Sequence, residues 1–244
     1  MSVICWIQID ENNELAFDFC YSAKIGAIQS NHKVSYFINS IDIPFSNDNI
    51  IVGSVEMCSN YLHANNLVIP EQISIRLFND FIGREVNSDL LLNSISQFPV
   101  FIKPNNKIKE FNAFVANKQW DIDFEIYHQK INPSSLVQTQ DVIDILSEYR
   151  VYINNKKIIG CEHYLGDCLL FPDKNIIESV FDIANKKLNN IAYTLDFGIL
   201  DNGKTILIEV NDGWAIGNYG IDSYSYYQLI KNRWFQIING VRNE

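Results

Sequence analysis

Asp196, Glu209 and Asn211 are the residues whose types and spacing most invite chemistry. They lie in Tyr193-Thr-Leu-Asp-Phe-Gly-Ile-Leu-Asp-Asn-Gly-Lys-Thr-Ile-Leu-Ile-Glu-Val-Asn211, two apolar alternating runs joined by Asn202-Gly203. Asn-Gly is the favoured pair for a two-residue type I′ turn, because both central residues need positive φ. With that loop Asp201 pairs with Lys204, and counting outward sets Asp196 opposite Glu209. Alternation points to the same register. Leu195, Phe197 and Ile199 share a face with Ile206, Ile208 and Val210, and Asp196 shares the other with Glu209 and Asn211.

Two carboxylates directly across a ladder repel each other, so the pair needs a compensating charge. A hard cation supplies it: Mg²⁺ takes carboxylate and amide oxygens and adds phosphate oxygens from a substrate. The bland alternative is a set of solvated side chains on the open face of a sheet. Three oxygen ligands on one face, followed by the Gly-rich run Asp212-Gly213-Trp214-Ala215-Ile216-Gly217, favour the metal.

The elements that must position these residues read as mixed α and β. Val3 to Ile9, Val34 to Ile38 and Ile50 to Gly53 have strand character, and Ser54 is set to cap a helix running to about Asn65. Arg76 to Arg84 and Asp89 to Gln97 read as short helical turns. Pro99 marks a boundary, after which Val100 to Lys103 is a buried strand ending at Pro104. Phe111 to Ala116, Phe124 to Gln129 and Leu136 to Thr139 continue a β-rich stretch. Glu148 to Ile153 and Lys156 to Ile159 flank Asn154-Asn155 as a hairpin. Lys174 to Asn190 is a helix, and Ser223 to Ile238 is a closing amphipathic helix with Tyr227, Ile230, Trp234 and Ile237 as its core stripe.

Composition narrows the function. A net charge of −10 argues against nucleic acid as a partner. No apolar run reaches the roughly 18 to 20 residues needed to cross a bilayer, and Met1 to Asp10 lacks a signal-peptide pattern. Cys5, Cys20, Cys58, Cys161 and Cys168 form no metal-ligand spacing and fit reduced thiols, so a cytoplasmic location is expected. His32, His63, His128 and His163 are scattered and none reads as catalytic. No Gly-x-x-x-x-Gly-Lys or Gly-x-Gly-x-x-Gly motif is present, which weighs against the other common nucleotide folds.

Asp196 with Glu209-Val-Asn211 resembles the metal-binding strands of the ATP-grasp superfamily. Val52-Gly-Ser-Val-Glu56, Phe81-Ile-Gly-Arg84, Pro99-Val-Phe-Ile-Lys-Pro104, Ser147-Glu-Tyr-Arg-Val-Tyr152 and Glu209-Val-Asn-Asp-Gly213 are, in that order, similar to segments of a clade of small predicted ATP-grasp amidoligases. The resemblance spans about residues 50 to 220; residues 1–49 match nothing nameable. It implies an α+β, ATP-grasp fold with two subdomains clasping ATP, preceded by a small α/β domain. The implied division is 1–97 for that first domain and 98–244 for the ATP-grasp domain, split into a β-rich lid (98–140) and a metal-binding subdomain (141–244).

By the same resemblance, Lys103 reaches ATP phosphate, Lys109 is a second phosphate contact, and Arg150, beside Glu148, points into the site. Gln140, Asp141 and Val142 fall at the hinge whose backbone holds adenine. Asp196, Glu209 and Asn211 bind Mg²⁺. Arg84 resembles a family arginine without a settled role, and Tyr164 and Asp167 fall in a family-like Tyr-x-Gly-Asp segment. The loop Asn105 to Glu110 departs from the family in lacking glycines. The implied activity joins a carboxylate substrate to an amine acceptor through an acyl phosphate, with Lys103 and Arg150 as catalytic residues. A phosphotransferase on the same scaffold and a non-catalytic ATP-binding interaction protein are the rivals.

Overall fold

The computed structural model describes residues 3–91, 97–105 and 110–240. Its first strand, β1 (Ile4–Gln8), alternates buried and half-buried residues, and is followed by α1 (Asp18–Gln29), β2 (Lys33–Phe37), β3 (Asn49–Val52) and α2 (Val55–Ala64). The three strands form a parallel sheet in the order β2-β1-β3. All four residues of β3 are buried, as a parallel strand covered on both faces requires. Gly53 makes the turn into α2 because a Cβ there would lie 2.9 Å from Cβ of Gln8. Ser54 caps α2, its Oγ accepting from Met57 N at 3.1 Å.

A 3-10 helix (Ile75–Phe81) leads to β4 (Val86–Leu90), β5 (Val100–Pro104), β6 (Phe114–Ala116), α3 (Gln119–Gln129) and β7 (Leu136–Asp141). These strands form an antiparallel sheet ordered β4-β7-β5-β6, with Ile102, Ala116, Ile122 and Val137 in the core beneath α3. The third sheet is built from β8 (Ile145–Asn154) and β9 (Lys157–Gly166), then, after α4 (Lys174–Lys187), from β10 (Ala192–Leu200) and β11 (Thr205–Asp212), ordered β11-β10-β8-β9. Its first face packs Val151, Leu195, Phe197, Leu207 and Val210 on α4 and the 3-10 helix. α5 (Ser223–Gly240) crosses back to the N-terminal sheet, where Tyr226, Tyr227 and Trp234 share a core with Cys5, Ile7, Ile50 and Ile51.

Several sequence expectations change. α1 is a helix the pattern did not announce, since its buried face is Cys20, Ala23, Gly26 and Ala27 rather than large apolar residues. Asp89 and Leu90 are strand, not helical turn, and residues 92–96 lie outside the described residues. The strand expected over Phe111 to Ala116 shortens to β6, the last three of those residues. Phe124 to Gln129 is the second half of α3: the alternation of Trp120-Asp-Ile-Asp-Phe-Glu-Ile imitates a strand, yet Trp120, Phe124 and Tyr127 are exposed. The first hairpin turns at Asn155-Lys156, both at positive φ (51° and 58°), one residue later than Asn154-Asn155. Asn154 stays in its strand, its Oδ1 accepting from Asn232 of α5 at 3.0 Å.

Candidate functional site

The hairpin β10–β11 sets Asp196 opposite Glu209, but by a different route from the two-residue count. Leu200 and Lys204 close a three-residue loop, Asp201 to Gly203, in which Gly203 takes φ 78°. That loop shifts the pairs by one, to Ile199↔Thr205 and Phe197↔Leu207. A β-bulge at Ile208 then restores the register at Asp196↔Glu209. Leu207, not Ile206 or Ile208, therefore lies with Leu195, Phe197 and Val210 on the core face. Ile206 packs against Gly83 on the opposite side.

Asp196, 1% exposed, receives both arms of Arg150: Nε donates to Oδ1 at 2.8 Å and Nη2 to Oδ2 at 2.6 Å. Glu209 faces Lys103 Nζ at 3.6 Å and Arg150 Nη2 at 3.9 Å. Asn211 Nδ2 donates to Glu209 Oε1 at 2.9 Å and to Asp196 Oδ2 at 3.3 Å. The repulsion expected between the two acids is thus relieved within the chain, by a guanidinium on the neighbouring strand and an ammonium from the other sheet. Burial pushes the Asp196 carboxyl up to about 7 against the pull of Arg150. Burial also raises Glu209, but Lys103 and the Asn211 amide outweigh it and leave that carboxyl below the ordinary range.

Aromatic rings wall the arginine. Its guanidinium carbon sits 4.7 Å from the centre of the Tyr219 ring, which stacks on Tyr164 at 4.7 Å. The Tyr152 hydroxyl donates to Gly217 O at 3.1 Å and accepts from Tyr219 N at 2.9 Å. Tyr226 OH donates to Ile216 O and Trp234 Nε1 to Trp214 O, at 2.6 and 2.9 Å. Asp212, the next residue after the Glu-x-Asn run, takes two hydrogen bonds from Arg233 of α5, both 2.6 Å. The Gly-rich loop after β11 is therefore held at several points by α5 and β8. Tyr152, Tyr219 and Asp212 escaped the sequence reading; only the position of Asp212 next to Asn211 hinted at it.

Lys103, Arg150, Glu209, Asn211, Asp212 and the loop face a cavity of about 380 Å³, whose remaining wall comes from β5, the segment before β6, and the start of α2. A smaller cavity of about 170 Å³ lies on the far side of the Lys103–Glu209 pair, bordered by Gln138 and the 3-10 helix. Gln140, Asp141 and Val142 are not at the cluster: they border a third cavity of about 370 Å³. Arg84 connects the two regions. Its Nε donates to Gln140 Oε1 at 2.6 Å, Nη1 to Ile82 O and Leu207 O, and Nη2 to Ile208 O at 2.7 Å, gripping the bulge. Burial lowers the Arg84 pKa. Glu148 is not the partner of Arg150; it accepts from Tyr164 OH at 2.6 Å. Asp167 Oδ1 accepts from Leu169 N in a turn, and Lys109 lies outside the described residues.

The donor set fits magnesium. No group of three His, Cys, Asp or Glu side chains converges among the described residues, but Mg²⁺ needs only one or two carboxylates when water and phosphate complete its shell. Glu209, 34% exposed to the cavity, is the open oxygen donor, and on the same sheet face stand Asp196, whose two oxygens accept from Arg150, and Asn211, whose Nδ2 faces the acids. The buried Thr194 Oγ1, paired with Asn211 in the ladder, has no hydrogen-bond partner among the described residues.

Solved structures share this architecture. A RimK domain protein ATP-grasp from Sphaerobacter thermophilus is 12% identical with TM-score 0.56, covering 99% of this chain and 100% of that one. D-alanine–D-alanine ligase from Bacillus anthracis, complexed with ATP, is 10% identical with TM-score 0.58, over 99% and 98% of the two chains. L-amino acid ligase from Bacillus licheniformis is 12% identical with TM-score 0.59, over 96% and 75%. The three sheets and their order thus define an ATP-grasp fold. A family model described as an ATP-grasp domain, family 2 of its clade, matches residues 81–229, and the chain belongs to that family. No curated protein matches it. Among the described residues no helix is long and apolar enough to cross a membrane.

Proposed function

We propose that the protein is an ATP-dependent carboxylate–amine ligase that works with Mg²⁺ and forms an amide through an acyl phosphate. The observation that carries this reading is the meeting of Lys103 from one sheet with Arg150, Glu209 and Asn211 from another at the wall of one cavity, with Asp196 buried behind Arg150. Family membership supports ATP as the phosphoryl donor, and the likeness to a D-alanine–D-alanine ligase and an L-amino acid ligase supports ligation.

In this reading an oxygen of the substrate carboxylate bonds to the γ-phosphorus of ATP while the bond to ADP oxygen breaks. An amine nitrogen then attacks the acyl carbon, inorganic phosphate leaves and the nitrogen gives up a proton. Lys103 and Arg150 are donors aimed at charge that grows on the transferred group. Asp196 orients the Arg150 fork, and Glu209, Asn211 and Asp196 hold magnesium, which when bound neutralises phosphate charge. Lys109 is a second phosphate contact, and Gln140, Asp141, Val142 and Glu148 lie on the nucleotide side. Packing carboxylate, phosphate and amine into one cavity supplies the rest by proximity.

Hydroxylamine is a small amine acceptor that any acyl phosphate meets. Incubating the protein with Mg-ATP, a panel of carboxylic acids and hydroxylamine should yield ADP and a hydroxamate. ADP with a stable phosphorylated product and no hydroxamate would make it a phosphotransferase. ATP binding with no ADP from any acid would leave a binding protein.

A further inference from the structure

The wall of the 380 Å³ cavity is of two kinds. Lys103, Arg150, Glu209 and Asn211 make it charged and polar, with Gln72, Asn112 and Tyr219 beside them, whereas Val55, Trp214, Ala215 and Ile216, which pack together with the N-terminal core, make its apolar end. Each charged group on the wall is already answered from within the chain: Lys103 by Glu209, Arg150 by Asp196, and Asp212 by both arms of Arg233 and by Asn190 Nδ2 at 2.7 Å. The Asp212 carboxylate, although it borders the cavity, is held by its own arginine and amide. Among the described residues no formal charge is left over at the apolar end.

We infer that the carboxylate substrate carries an uncharged, predominantly apolar body, and that the end of the cavity formed by Val55, Trp214, Ala215 and Ile216 selects it. This rests on the ligase reading above and names the substrate class for it. Among the described residues no counter-charge at that end is free to replace the water that a charged substituent would lose there, which is strongly unfavourable. An apolar one gains by burial against residues that are themselves mostly buried. The shape of the wall is fixed rather than adaptable, because Trp214 O, Ile216 O and Gly217 O are held by Trp234, Tyr226 and Tyr152.

Val55 is the residue on which to test this. It lies in the first turn of α2, where an acid is favoured by the helix dipole, but it also packs on the N-terminal core, so Val55→Asp is read against Val55→Asn, which loses the same apolar packing without the charge. The hydroxamate assay is run with monocarboxylic acids of equal length whose tails end in a methyl, a carboxylate or an ammonium group. The wild-type protein is expected to prefer the methyl series at least tenfold in kcat/KM, and Val55→Asp to raise the ammonium series at least tenfold relative to wild type, with Val55→Asn as the neutral control. Equal use of charged tails by the wild type, or an unchanged ranking in Val55→Asp, overturns the inference while leaving the ligase reading intact. If no acid gives ADP, the ligase reading has failed, and calorimetry with the same acids decides the cavity separately. Tighter binding of the methyl series than of the charged ones supports it, and equal or absent binding overturns it.

Discussion

The Arg150 guanidinium donates to both oxygens of Asp196 in a setting almost closed to water, so removing that carboxylate strands a buried cation. Asp196→Asn is expected to cost about 3–5 kcal/mol of stability, the range for breaking one partner of a buried pair. Glu209 is different. It is a third exposed and sits 3.6 Å from Lys103, so Glu209→Gln should change stability by less than about 1 kcal/mol. Its effect falls on function: turnover with Mg-ATP should drop about 100-fold or more, as when one oriented electrostatic group is removed from a site. Urea unfolding beside ADP release separates the two variants. An Asp196→Asn protein as stable as wild type, or a Glu209→Gln protein with full turnover, would contradict the division of labour. The pairing of the two acids is reached from the sequence only because a longer loop and a bulge cancel, since alternation alone puts Ile206 and Ile208 on the wrong face. What relieves their repulsion is not, since Arg150 lies 46 residues from Asp196 and reaches it only once β8 and β10 are neighbours.

At the scale of elements, the register of β10 and β11 came out at Asp196↔Glu209 through two offsets that cancel. The three-residue loop is one, and the extra residue Ile208 is the other. Ile206 and Ile208 alternate as well in a regular ladder as in a bulged one, so the sequence holds no local sign of the bulge. Its anchor is Arg84, whose guanidinium binds Leu207 O and Ile208 O from 123 and 124 residues away. Arg84→Ala should cost about 2–4 kcal/mol, because the carbonyls of residues 82, 207 and 208 lose a charged donor together. It should also weaken Mg-ATP binding by loosening the strand that carries Glu209, and a variant with wild-type unfolding and affinity would show that the bulge holds itself. α1 and α5 give a second case. Gly26 lets the helices touch, since a Cβ there would lie 2.1 Å from Ser223 O and 2.4 Å from Tyr227 Cβ. Gly26→Ala is expected to lower stability by about 1–3 kcal/mol despite the better helix propensity of alanine. A rise in melting temperature would refute that contact. The small-residue face that permits this approach is also why hydrophobic periodicity passed over α1.

The described residues form three hydrophobic cores, and the candidate site lies where elements of all three meet. The N-terminal sheet shares its core with α5 and with Trp214 and Ile216 of the loop, so the far end of the chain is built into the near end. The β4–β7 sheet has its own small core under α3, and it reaches the hairpin through polar links: Lys103 to Glu209, and Arg84 between Gln140 and the β11 carbonyls. Apart from Val86 of β4, which packs on the second core, the joint is polar, and a joint with so little shared apolar core leaves relative motion open to a ligand that adds contacts on both sides. Mg-ATP seated against Lys103 and Glu209 would do that. At about one hundred times its dissociation constant, a ligand that binds only the folded state stabilises it by about 2.7 kcal/mol. For a chain of this size that corresponds to a melting temperature raised by roughly 5–10 °C. Amide exchange should slow most in β5 and β7, in the sheet that carries Lys103, and less in β1 and β3. Glu209→Gln should remove most of both effects while leaving the melting temperature without nucleotide unchanged. If Mg-ATP raised the melting temperature equally in Glu209→Gln, the nucleotide would be seated away from the hairpin. Slowed exchange in β1 and β3 instead of β5 and β7 would put it against the N-terminal sheet.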